Sequence, residues 1–192
     1  MLKCRQDYQP PAFLVTSVYL SIDIKDNVTD VTTKLELRRN QNAAPDAALW
    51  LDGQDIELTR LVINSVDLPL GDDMPDHISL GDQGLSVASL GDEAVIEVHS
   101  QCDPQHNTAL EGLYLSGGMY CTQCEPEGFR RITFYPDRPD VMATFSTTVI
   151  GDRESLPVLL SIFSGERPPG LILMPYSVCS CCVVWFHVFL TG

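Results

Sequence analysis

Val18-Tyr19-Leu20-Ser21-Ile22-Asp23-Ile24-Lys25, then Asp26-Asn27, then Val31-Thr32-Thr33-Lys34-Leu35-Glu36-Leu37-Arg38, is the stretch that decides the fold class. In both runs apolar and polar residues alternate. A strand turns successive side chains to opposite faces, so this period of two puts Val18, Leu20, Ile22 and Ile24 in a core and their neighbours in water. Asp26-Asn27 is a turn signal, and the pair reads as a hairpin. Working outward, Leu49 and Leu51 lead into the turn Asp52-Gly53. Ile56 with Leu58, Leu61 with Ile63, a short apolar stretch at Val87, and Ala94-Ile96-Val98 suggest further strands. So do Ile132 with Phe134, Phe145-Thr147-Val149, and Val158 to Leu160. Many short strands joined by Gly, Pro, Asn and Asp turns indicate an all-β sandwich or barrel-like domain. The one helical hint is a turn at Pro139 to Ala143, with Asp137 as cap and Pro139 as opener.

At 192 residues and 44% hydrophobic composition the chain fits one domain with a sizeable core. A formal net charge of −14 and a pI near 4.4 exclude nucleic acid as a partner, because phosphate binding needs a basic patch. Seven cysteines, an odd number with three in the last fourteen residues, make no disulfide framework. Met1 to Asp7 contains no apolar signal region. The expected setting is reducing and cytoplasmic.

The densest run of chemistry-bearing residues is Asn107 to Tyr114, Cys121-Thr122-Gln123-Cys124-Glu125 and Glu127-Gly128-Phe129-Arg130. It packs acids, an amide, thiols and glycines into a stretch with poor strand periodicity, as functional loops on β scaffolds do. Cys121-x-x-Cys124 invites a zinc reading, but structural zinc wants four ligands and no second pair or H-x₃₋₅-H accompanies it. Two unpaired, buried or half-buried thiols are expected instead. His77, His99, His106 and His187 form no H-E-x-x-H helix, so no metal ligand and no catalytic residue is assigned. His99 reads as a surface histidine in a strand. No G-x-S-x-G elbow or phosphate-binding glycine loop occurs. Gly71 to Asp76 is acidic, but its spacing does not fit a calcium loop, and it reads as solvated.

Three segments together carry a resemblance. Asn107-Thr108-x-Leu110-Glu111-Gly112-Leu113-Tyr114, Cys121 to Arg130, and Tyr135-x-Asp137-Arg138-Pro139-Asp140-Val141 closely resemble the bacterial-type aminopeptidase N family of zinc metallo-aminopeptidases. Asp7-Tyr8-x-Pro10-Pro11 and Leu51-Asp52-Gly53 match the same family, and the likeness runs in order from 7 to about 161. It implies the family's N-terminal, saddle-shaped β-sandwich of mostly antiparallel strands. By match, Gln123 and Glu125 are the residues that hold the free α-ammonium of a peptide substrate, so a peptide with a free N-terminus is the implied partner. Zinc is the implied cofactor of the full-length family. Its G-x-M-E-N loop, H-E-x-x-H helix and further ligand lie downstream in that family and do not occur in this sequence. A chain with the substrate end of the site and without the zinc end is expected to bind no zinc and to be inactive alone. Pro136 departs from the apolar residue usual there and is expected to alter the end of that strand.

Residues 1–161 therefore read as a truncated N-terminal β domain, and 162–192 as a divergent, irregular, apolar and Cys-rich tail. From Pro168 to Gly192 there is no Asp, Glu, Lys or Arg. Leu171 to Leu190 approaches the roughly 20 residues that span a bilayer. Pro175, several polar residues, and the lack of Lys or Arg on the C-terminal side count against a membrane span. The alternative to the peptidase reading is a non-enzymatic β-sandwich binding module, attached to a membrane through residues 171–190.

Overall fold

A computed structural model of the chain describes residues 8–125, 127–152, 156, 158–161, 172–179 and 186–189, the last three segments as backbone pairing alone. Met1 to Asp7 and the tail stretches 162–171, 180–185 and 190–192, with Cys4, Cys181 and Cys182, lie outside the described residues. The hairpin expected from the opening stretch is β1 (Phe13–Ile24) and β2 (Thr29–Arg39), joined at a turn where Lys25 N donates to the Val28 carbonyl at 3.2 Å. β1 buries Phe13 and Val15, then Val18, Leu20, Ile22 and Ile24. The phase changes at Thr16, where the register with β2 shifts between Val15 and Ser17. This extra residue is a β-bulge, which restores the core face after a three-residue step. The same device explains Leu58 and Leu61. Both belong to one strand, with a bulge between Leu58 and Arg60.

Among the described residues twelve more strands follow. They are β3 (Leu49–Asp52), β4 (Glu57–Ile63), β5 (Val66–Leu68), β6 (Ile78–Gly81), β7 (Gly84–Val87), β8 (Glu93–Cys102), β9 (Gly112–Ser116), β10 (Met119–Gln123), β11 (Met142–Gly151), β12 (Val158–Ser161), β13 (Ile172–Cys179) and β14 (Phe186–Phe189). They form a seven-stranded sheet in the order β13-β11-β1-β2-β8-β4-β5, a four-stranded sheet β12-β14-β10-β9 and a three-stranded sheet β3-β7-β6. Among the described strands pairing is antiparallel except between β1 and β11, which run parallel from Ser17–Thr144 to Ile24–Gly151. The chain is all-β, as expected.

One apolar core joins the sheets. Val18, Leu35, Leu61 and Ile96 of the large sheet, Leu51 and Leu85 of the three-stranded sheet, and Leu113 and Tyr120 of the four-stranded sheet all contribute to it. Phe129, Tyr135 and Phe145 pack edge-on or tilted within it, with ring centroids 5.1 to 5.9 Å apart.

Three expectations change. Ile132 and Phe134 are not in a strand: Phe129–Arg131 is a 3-10 turn, and Ile132, Thr133, Phe134 and Tyr135 are all buried, so no in-out alternation exists there. Pro139 to Ala143 is not helical. The chain turns at Pro139-Asp140 and enters β11, because the Asp137 carboxylate bonds Arg130 instead of capping a helix. The tail is not irregular throughout, since β13 pairs with β11 and β14 pairs with β10 and β12. Among the described residues no helix is long and apolar enough to cross a membrane.

A buried polar contact joins sheet and loop within the core, Thr33 Oγ1 to Thr133 Oγ1 at 2.7 Å, with both residues fully buried. Thr33→Val leaves the Thr133 hydroxyl without its partner and should destabilise the chain by about 1–3 kcal/mol. The double variant Thr33→Val/Thr133→Val should recover most of that loss, because neither hydroxyl then needs a partner. Urea unfolding of the two singles and the double measures this, and strictly additive losses would contradict the pairing.

Candidate functional site

The dense run expected as a loop begins as a tight hairpin. β9 and β10 pair from Gly112–Gln123 to Ser116–Met119, leaving Gly117-Gly118 as a two-residue connection. Both glycines have positive φ, 56° and 79°, which a type I′ hairpin turn requires. Upstream, the Asn107 side-chain amide donates to the carbonyls of Glu111 and Leu113, each at 2.8 Å, and so fixes the approach to β9. Arg131 braces the same approach through Glu111, at 3.2 Å, and Asp55.

Gln123 is the last residue of β10 and is half-buried. Cys124 is buried, at 2% exposure, and Glu125 is exposed. This in-out step places Gln123 and Glu125 on either side of a thiol that is sunk in the core. Gly128 closes the turn by donating its N–H to the Glu125 carbonyl at 2.6 Å. A Cβ at Gly128 would lie 2.7 Å from the Gln123 carbonyl oxygen and 3.0 Å from that of Glu125. Only glycine permits that close approach. The structure thus brings the two sequence-assigned residues together on one pinned turn.

The two carboxylates of this turn differ. Glu127 lies 3.6 Å from the Arg130 guanidinium. Glu125 has no ion-pair partner among the described residues, and its carboxylate faces water. An exposed, unpaired carboxylate beside an amide can accept N–H bonds from a cation.

Arg130 and Asp137, seven residues apart and both within the family-like motifs, meet in a contact that their spacing does not announce. Arg130 Nε bonds Asp137 Oδ2 at 3.0 Å, Nη2 bonds the Asp137 carbonyl at 3.1 Å, and Nη1 lies 3.6 Å from Asp52 Oδ1. Asp52 Oδ2 in turn accepts the Asp137 N–H at 3.0 Å. The available signal was an Arg and an Asp embedded among Phe129, Ile132 and Phe134, since charges inside an apolar segment must find each other. Of Asp52-Gly53, read as a turn, Asp52 ends β3 and pairs with Tyr135 through an isolated antiparallel bridge, while Gly53 N donates to the Gln83 carbonyl at 3.1 Å. Pro136 directly follows this bridge, and because 132–135 is not a strand there is no strand end at this point for it to alter.

Cys102, Cys121 and Cys124 are free and buried. Burial pushes the Cys102 thiol up to about 12 and the Cys124 thiol higher still, with the Asp137 charge adding to the latter. Among the described residues no group of three or more His, Cys, Asp or Glu is placed to hold a metal ion. His99 sits on β8 in a surface network with Glu97 Oε1 at 2.7 Å and Thr32 Oγ1 at 3.2 Å. Gly71–Asp73 is an exposed 3-10 turn.

Two outcomes follow from these environments. Because the thiolate is the nucleophile, Cys102 and Cys124 should resist iodoacetamide at pH 8 in the native chain and react after denaturation. Peptide mapping by mass spectrometry reads this, and rapid native labelling of Cys124 would contradict its burial. Burial also pushes the Asp137 carboxyl above the ordinary carboxylate range, against the pull of its Arg130 bonds. Its Oδ1 is buried without a hydrogen-bond partner among the described residues, so a proton there displaces no bond to them. A raised folded-state pKa gives stability that is complete below the unfolded value and is lost as pH rises through the folded one. The stability of the chain relative to an Asp137→Asn variant should therefore fall as pH rises from about 4. Urea midpoints measured across pH test this, and a difference that grows with pH would reverse the sign.

Comparison with known proteins places this geometry in a family. The Peptidase M1 N-terminal domain matches residues 8–166. Aminopeptidase N of Escherichia coli (strain K12) is 40% identical over 166 residues, which is 86% of this chain and 18% of that protein. Aminopeptidase N of Caulobacter vibrioides is 37% identical over 155 residues, covering 81% of this chain and 17% of the relative. The chain thus spans under a fifth of the length of these curated relatives. Among solved structures, Legionella pneumophila aminopeptidase A in complex with aspartic acid superposes with a TM-score of 0.83 at 29% identity, over 97% of this chain and 22% of that one. A mutant M1 zinc metallopeptidase from Deinococcus radiodurans bound to a Tyr-Ser-Ala substrate shares the fold, with a TM-score of 0.68 at 15% identity, over 92% of this chain and 42% of the other. With its all-β architecture and a family match over most of its length, the chain belongs to the peptidase M1 family and carries its N-terminal domain.

Proposed function

We propose that this chain is the substrate-anchoring domain of a zinc aminopeptidase and that Gln123 and Glu125 grip the free α-ammonium of a peptide. The observation that carries the reading is the pinned turn, where a buried Cys124 separates an end-of-strand amide from an exposed carboxylate without an ion-pair partner among the described residues. An α-amine has a pKa near 8, so much of it is cationic at neutral pH. A carboxylate and an amide oxygen satisfy its N–H donors, and bonds to charged groups are the strong ones. Only a chain end offers that ammonium, so recognition of it makes cleavage exopeptidic. Aminopeptidase N of Escherichia coli, and Legionella pneumophila aminopeptidase A with aspartic acid bound, support the same direction.

The described residues offer no cluster that fits zinc, and the 192-residue sequence contains no H-E-x-x-H. No step assigned to this chain passes through the metal. The chain contributes binding and orientation, and it is proposed to hydrolyse nothing by itself. A cytoplasmic setting remains part of this proposal, on the reducing chemistry implied by free thiols.

Calorimetric titration of the chain with a peptide and its N-acetylated twin tests the anchor. The free amine should bind, and acetylation should weaken binding by about tenfold to a hundredfold, the value of one or two charge-assisted hydrogen bonds. Glu125→Gln should abolish most of that difference and Gln123→Ala a smaller part. Equal affinity for both peptides removes the anchor.

A further inference from the structure

A glutamate on an exposed turn orients a ligand only if its backbone is held. Here three successive hydrogen bonds coil the chain after Glu125: Gly128 N to Glu125 O at 2.6 Å, Arg131 N to Gly128 O at 3.2 Å, and Ile132 N to Phe129 O at 2.9 Å. Arg130 lies in the middle of this coil, and its side chain is only 14% exposed. Its backbone N–H donates to Asp137 Oδ2 at 3.2 Å, and its carbonyl accepts from Gln54 N at 3.0 Å. Its guanidinium reaches Asp137 twice, Asp52 once and Glu127 once. One side chain therefore ties the turn to the end of β3 and to the segment that leads into β11.

The same guanidinium sorts the acids. It draws Glu127 to 3.6 Å and leaves Glu125 as the carboxylate of the turn that no cation of the described chain occupies. A rigid planar fork with five donors can serve Asp137, Asp52 and Glu127 together, whereas a lysine ammonium acts as a single point charge.

We infer that Arg130 is the positioning residue of the amine anchor: held by Asp137 and Asp52, it fixes the turn on which Gln123 and Glu125 stand and keeps Glu127 out of the competition for the ligand cation. This rests on the reading of Gln123 and Glu125 as the anchor.

The test uses the full 192-residue chain, with a free-amine peptide and its acetylated twin as probes. Arg130→Lys keeps the charge and loses the fork. It should bind the free amine at least about tenfold more weakly while its weak affinity for the acetylated peptide is unchanged. In the same variant, the Gly128 amide should shift in the ¹⁵N spectrum and exchange its hydrogen faster. A purely structural role would move the melting temperature without changing the ratio of the two affinities in fully folded protein. Should Arg130→Lys not fold, Asp52→Asn loosens the network from its more accessible end and should lower the ratio by at least about threefold. Free-amine affinity within about twofold of the parent chain in the folded variant overturns the role of Arg130 alone. If the parent chain shows no preference for the free amine, the anchor itself falls, and the role of Arg130 with it.

Discussion

The guanidinium of Arg130 is the point at which three distant parts of the chain meet. Asp52 ends a strand of the three-stranded sheet, Asp137 precedes the strand that runs beside β1, and Arg130 follows the hairpin of the four-stranded sheet. Each sheet satisfies its own backbone through its ladders, and apolar burial among them is non-directional. Burial alone would let one sheet slide over another. A planar donor array facing two fixed carboxylates does not, because hydrogen bonds weaken steeply with angle. The arrangement is costly, since charges leave water, and removing one partner costs more than the pair contributes. The core therefore supplies most of the cohesion, while this contact fixes the relative placement on which the candidate site depends.

Much of the fold was legible because one face of each long strand is buried. Val18 to Ile24 and Val31 to Leu37 could not alternate so regularly for any other reason. The bulges at Thr16 and between Leu58 and Arg60 were readable only as breaks in phase. A break of that kind looks the same as a loop until the pairing partner is known. The segment 132–135 misled for the opposite reason. Its residues are buried on every side, so the polar Thr133 and the phenol of Tyr135 imitated an outward face while lying in the core. Short segments of this type are decided by tertiary contacts and not by local pattern.

The candidate site divides similarly. Gln123 and Glu125 came from a match of ordered motifs, and neither residue is distinctive by itself in a chain this acidic. The structure adds a reason for their separation by one position, since a thiol that faces the core forces its two neighbours away from it. The sequence hinted at the Arg130–Asp137 contact behind them but not at the Asp52 arm, because Asp52 and Arg130 are close only after the sheets have assembled. The tail shows the limit from the other side: its composition pointed to irregular structure, yet Ile172–Cys179 covers the outer side of β11 and Phe186–Phe189 pairs on both sides, with β10 and β12.

The parallel pairing of β1 with β11 has a consequence for how the chain reaches this state. β1 finds β2 through a short turn, on the microsecond scale typical of hairpins. Its other edge waits for residues 144–151, which must close a long loop before any ladder bond offsets the entropy lost. During that interval a half-apolar strand offers unpaired donors and acceptors to any neighbouring chain. The inner strand β1, paired to one local and one distant partner, therefore makes assembly kinetics, and the concentration of nascent chains, the conditions under which this domain is most exposed to misassociation.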